Sequence, residues 1–119
     1  MPKTENGSKF VTHTADLTTT SDTDVYLVPK NFSSHVENFM VSNSAAGNVT
    51  FTLKYYEKIE NTTHTLLTSK TVSSNDYVNI FSNTHPLFLH AEDKLIVAAS
   101  AGNDLHVTIA AEEFFDPVR

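Results

Sequence analysis

The chain has 119 residues, 39% of them hydrophobic and 18% charged, with a formal net charge of −6 and no cysteine. That length holds one domain around one core, and the missing cysteine excludes disulfides and thiolate-bound metals. An acidic chain with only eight Lys and Arg, all scattered, lacks the cationic patch that phosphate binding needs, so no nucleic-acid partner is expected.

The predicted elements follow in chain order. A polar N-terminal arm spans residues 1–9 and has no apolar stretch that would make it a signal peptide. A sandwich domain is expected over 10–119. Phe10 to Leu17 reads as a weak first strand, and Thr18 to Asp24 as a turn. Val25 to Val28 is a short strand stopped by Pro29, which has no N–H for a ladder. His35 to Asn43 comes next, with Phe39 and Val41 on one face and Val36 and Met40 on the other. Apolar residues on both faces mark either a central strand or a face that meets a neighbouring chain.

After the loop Ser44 to Asn48 comes the clearest alternation in the sequence. Val49, Phe51, Leu53 and Tyr55 point inward, against Thr50, Thr52, Lys54 and Tyr56. His64 to Val72 pairs back across the turn at Glu60 to Thr63. Tyr77 to Phe81, Leu87 to His90, Lys94 to Ala99 and Leu105 to Phe115 complete the series. About eight or nine strands at spacings of roughly 8–12 residues predict an all-β fold, an antiparallel β-sandwich of jelly-roll type. No apolar run nears the ~20 residues of a membrane helix, so no membrane partner is expected.

A search for chemistry gives little. His13, His35, His64, His85, His90 and His106 show none of the short spacings of zinc sites and read as solvated or edge-strand histidines. A site shared between copies at a symmetry axis stays open. Asp22, Asp24, Glu92 and Asp93 fall where turns are expected and read as solvated carboxylates rather than calcium ligands. There is no Gly-x-Ser-x-Gly, and three glycines cannot form a phosphate loop. A carboxylate pair from distant strands cannot be located from sequence. The expectation is a protein without catalytic machinery, metal or cofactor. The sequons at Asn6, Asn31, Asn48 and Asn61 are what a chain rich in Asn, Ser and Thr produces by chance.

Surface apolarity is the informative residue of this search. Tyr56 lies on the polar side of its strand, Phe88 alternates against Leu87 and Leu89, and Val36 and Met40 oppose Phe39 and Val41. Alternation lets only one of Phe114 and Phe115 face inward. These six, Val36, Met40, Tyr56, Phe88, Phe114 and Phe115, are candidate interface residues, with burial under covering loops as the competing reading.

Three stretches also carry a family likeness. They are Asp24-Val25-Tyr26-Leu27-Val28-Pro29; Phe39 to Asn43 with Gly47 to Tyr56; and Pro86 to Val97 ahead of the closing strand Leu105 to Phe114. Together, from about Thr20 to Phe115, they resemble small β-sandwich virion structural proteins of tailed, marine-type bacteriophages. The resemblance implies a capsid decoration (cement) protein or a neck or tail component. It would sit in the virion as a homo-oligomer, against major capsid or neck and tail proteins. One departure is Glu92, where a glycine is expected before Asp93, which predicts a different turn there. A carbohydrate-binding sandwich using Tyr55, Tyr56 or Tyr77 as stacking platforms is the alternative. A small hydrolase is the third possibility.

Overall fold

The computed structural model of the chain describes residues 8–81, 84 and 86–117. Of the expected arm, residues 1–7 lie outside the described residues, and Ser8 and Lys9 belong to the first strand. Nine strands follow in order: β1 (Ser8–Leu17), β2 (Thr23–Leu27), β3 (Phe32–Asn43), β4 (Val49–Glu57), β5 (Thr62–Val72), β6 (Tyr77–Phe81), β7 (Leu87–Leu89), β8 (Lys94–Ala99) and β9 (Leu105–Phe115). Each expected strand is present, and the described residues contain no helix.

The strands form two antiparallel sheets. One, sheet A, has the order β1-β9-β3-β6, with β7 also paired to β3. Sheet B has the order β2-β8-β4-β5. Apart from the β4–β5 hairpin, neighbours in each sheet are not consecutive in sequence, and most connections cross between the sheets, which is the jelly-roll arrangement of two four-position sheets. The ninth strand arises because β6 and β7 share one edge position. Along β3, β6 pairs with Phe39 to Ser42 and β7 pairs with Ser34 to Val36.

Alternation explains the core. Leu105, Val107, Ile109 and Ala111 of β9 face sheet B, and Leu95, Val97, Ala99, Val49, Phe51 and Leu53 answer from sheet B. Strand β3 departs from the expected pattern. A bulge between Val36 and Asn38 inserts Glu37 as an extra residue opposite β9, so Val36 pairs with Ala111 and Phe39 with Ile109. Both therefore point inward, with Val41. Val36 is fully enclosed in the core and is withdrawn as a surface residue, while Met40 alone remains on the outer side, half-buried. The strict period of 2 put Val36 on Met40's face because it contained no extra residue.

The Asp93 turn also differs from expectation. Glu92 has φ 69°, the left-handed conformation a glycine would adopt there. The Asp93 amide donates to the His90 carbonyl at 3.0 Å, closing a four-residue turn. The glutamate thus occupies the backbone state of the missing glycine. Asp93 is not a solvated carboxylate either: it is completely buried. Its oxygens accept from the amides of Lys58 and His90, both at 2.9 Å, and from the Tyr55 hydroxyl at 3.2 Å. One side chain ties the β4–β5 connection to the β7–β8 turn.

Replacing Asp93 by Asn removes an acceptor from part-buried donors and should lower the unfolding free energy by about 1–3 kcal/mol. Glu92→Gly should raise it by up to about 1 kcal/mol, since relief of the left-handed conformation slightly exceeds the entropy lost by glycine. Urea denaturation of both variants checks the pair. A stabilised Asp93→Asn or a destabilised Glu92→Gly would contradict this reading of the turn.

Candidate assembly surface and the buried carboxylate beneath it

The outer faces of the two sheets differ in chemistry. On sheet B, Lys54 pairs with Asp22 at 3.0 Å and Lys94 with Asp24 at 3.3 Å. Lys94 also lies 5.2 Å from the centre of the Tyr56 ring, whose hydroxyl donates to Asn61 at 2.7 Å. This face carries paired charges, with Leu27 and Leu66 as isolated exposed leucines.

Sheet A presents a graded face. At one end Phe10, Glu112, His35 and Phe88 stand opposite one another across four strands, and Ser8, Phe114 and Ser33 form the adjoining row. Phe10 is 74% exposed, Phe88 65% and Phe114 39%. The middle carries Thr14, Thr108, Met40 and Asn79 in register. At the far end stand Asp16, His106, Ser42 and Tyr77.

Of the expected interface residues, Phe88 and Phe114 both lie on this outer face, on either side of β3. Met40 lies in the same face but further along. Phe115 is 50% exposed and turns the other way, packing edge-on against Phe32 at 5.7 Å. Tyr56 belongs to sheet B. Phe10 was missed, although alternation against Val11 was a usable signal. Tyr55 and Tyr56 point to opposite faces of β4, and Tyr77 lies in the other sheet, so these three rings form no shared platform.

Beneath the aromatic end, between the sheets, lies a carboxylate that sequence reading did not single out. Glu113 continues the inward series of β9 and is 2% exposed. The Tyr26 hydroxyl donates to it at 2.6 Å. With that proton committed, the buried Ser34 hydroxyl is left to donate to the Tyr26 oxygen, 2.8 Å away. Lys9 Nζ and His13 Nε2 of the edge strand β1 reach Glu113 at 3.8 and 4.0 Å. Lys9 also covers the Phe32 ring, and the His13 ring lies 5.0 Å from that of Tyr26. The cluster thus joins β1, β2, β3 and β9. Burial, then the bond to Glu113 and its negative charge, push the Tyr26 hydroxyl far above the usual phenol range, with Ser34 opposing weakly.

The remaining titratable groups fall into pairs. Each described histidine has a carboxylate within 4.0 Å; His13 and His64 lie on edge strands and His90 and His106 are well exposed, as expected, while His35 is the most enclosed of the five. His85 lies outside the described residues. At the far end of sheet A, His106 bonds Asp16 through Nδ1 at 2.9 Å and Ser44 through Nε2 at 3.1 Å. These are the contacts of a Ser-His-Asp relay. Asp16 is largely exposed, however, and the Ser44 amide is committed to the Asp104 carbonyl, so the relay lies in water. His35, Glu37 and Glu112 form the third cluster, with one ligand-type atom from each all within 4.8 Å of one another.

No protein-family model matches the chain, and no curated protein matches it either. Solved structures of similar fold do exist. A subunit of the disulfide-linked pili that form Bacillus endospore appendages aligns over 92% of this chain and 87% of its own, with TM-score 0.53 and 9% identity. The extra small virus particle of the giant freshwater prawn Macrobrachium rosenbergii aligns over all of this chain and 86% of its own, with TM-score 0.47 and 13% identity. A pentameric capsid protein from metagenomic phage sequences aligns over 91% of this chain and 62% of its own, with TM-score 0.42 and 19% identity. The likeness to the pilus subunit is one of fold alone.

The Tyr26 shift has a direct consequence. A folded-state pKa raised above the unfolded value leaves stability intact below pH ~10 and erodes it above, because only the unfolded chain then loses the proton. Between pH 9 and 11 the protein should lose about 1.4 kcal/mol more stability than Tyr26→Phe, whose absolute stability is lower throughout. Denaturant titrations at the two pH values test this. Equal losses in both proteins would mean that Tyr26 ionises as freely folded as unfolded.

Proposed function

We propose that this chain is a bacteriophage virion structural protein, most simply a decoration subunit of the capsid, which acts by packing against other proteins and not by catalysis. The observation that carries this reading is the contrast between the two outer faces. Sheet B matches its charges internally, whereas sheet A leaves Phe10, Phe88 and Phe114 exposed in two adjoining rows. Several exposed aromatics spread across one end of a sheet, around the polar pair His35 and Glu112, are a feature of contact surfaces. The jelly-roll order supports the assignment at the level of fold, since capsid subunits are among its common users. The sequence likeness to phage virion proteins points the same way.

A homo-oligomer, with the aromatic end of sheet A at its contact with capsid neighbours, is the arrangement this face favours. A standard interface buries about 1,600 Å² in total, roughly 800 Å² from each partner, and repetition on a lattice adds avidity. The Bacillus appendage pili are disulfide-linked. With no cysteine in this chain, its contacts would be non-covalent. A neck or tail position would use the same surface.

The double substitution Phe10→Ser with Phe88→Ser tests the proposal. Both sites are exposed, so folding stability should change by no more than about 0.5 kcal/mol per site. Co-sedimentation with purified particles should weaken at least tenfold. Undiminished attachment, or absence of the natural chain from particles by mass spectrometry, would overturn the reading.

A further inference from the structure

We infer that His35, Glu37 and Glu112 form a binding site for a divalent transition-metal ion of the zinc type, set into the aromatic end of sheet A. This goes beyond the proposed virion role and does not depend on it. Two independent observations fall on the same side chain. The first is the cluster itself: the imidazole of His35 and the carboxylates of Glu37 and Glu112 bring one ligand atom each to within 4.8 Å of one another. Among the described residues this is the only such group of three. The second is His35 Nε2, which is buried and has no hydrogen-bond partner, and it is the only such side-chain atom among the described residues. A buried polar atom without a partner calls for an explanation, and a bound ion or water supplies one.

The local structure holds these groups in place. His35 and Glu112 are cross-strand partners on β3 and β9. The bulge adds Glu37 beside them, with its Oε2 3.9 Å from His35 Nδ1. The Phe88 ring stacks on the imidazole at 4.5 Å and fixes its plane. Glu112 also accepts a hydrogen bond from the Ser8 hydroxyl, which orients the carboxylate as outer-shell partners of metal ligands do. No described lysine or arginine lies within ion-pair distance of Glu37 or Glu112, so two negative charges face one neutral or singly charged ring. One imidazole and two carboxylates suit zinc and its neighbours, with further positions left to water. An all-oxygen cation such as magnesium gains nothing from the imidazole.

The test uses tag-free, chelator-treated full-length chain, with thermal melting and calorimetric titration at pH 7.5. Zinc should bind one equivalent and raise the melting temperature by about 5 °C or more at saturating ion, reversibly with EDTA. Magnesium at the same concentration should produce no shift. His35→Ala should abolish the zinc shift, and Glu37→Gln should weaken binding at least tenfold. Glu37 is a half-exposed bulge residue, so its variant keeps the test decisive if His35→Ala folds poorly. The inference is overturned by a folded protein that shows no zinc shift, by an equal response to magnesium, or by a shift that Glu37→Gln leaves unchanged.

Discussion

A single extra residue in β3 decides which side chains of the central strand are core and which are surface. The bulge at Glu37 lets Val36, Phe39 and Val41 all point between the sheets, where all three are fully enclosed. Without it, half of the strand would turn its apolar residues to solvent, because a one-residue slip exchanges the two faces. The same insertion sets Glu37 on the outside next to His35. Core, aromatic surface and the metal-ligand cluster therefore share one origin in the register between β3 and β9.

The edge strand β1 depends on a second constraint. Most of β1 is exposed, and only Leu17 is completely buried. What holds its outer half is its ladder with β9 and the contacts of Lys9 and His13 with the buried Glu113. A carboxylate enclosed in a core is costly unless it is hydrogen-bonded and its charge is compensated. Tyr26 supplies the hydrogen bond from sheet B, and β1 supplies the Lys9 cation, with the His13 ring beside it. The cluster thus links the two sheets at the end where Phe10 and Phe114 stand exposed, and it gives that surface a rigid base.

How much of this was legible in the sequence follows from the range of each signal. Strand positions were read from alternation and turn residues, which are local, and each expected strand is present. The bulge was not legible, because an extra residue is defined only by the partner strand. Asp93 and Glu113 were missed as buried groups for a related reason. A carboxylate in a turn or near a terminus reads as solvated unless its distant donors, Lys58 and Tyr55 or Tyr26, are known. His35 and Glu37 are two apart and could be noted, but Glu112 joins them only through the β3–β9 ladder. Phe88 and Phe114 were visible as aromatics out of phase with their apolar neighbours. Phe10 had the same pattern in a strand that looked weak because so few of its residues are core.

If the chain packs as proposed, the aromatic end of sheet A is covered in the assembled particle while sheet B stays in water. Hydroxyl-radical footprinting of the chain, free and particle-bound, measures this directly at aromatic side chains. The account predicts strong protection of Phe10, Phe88 and Phe114 on assembly, with Tyr56 on sheet B labelled equally in both states. Protection of Tyr56 with Phe10 and Phe88 unchanged would place the contact on the opposite sheet and contradict it.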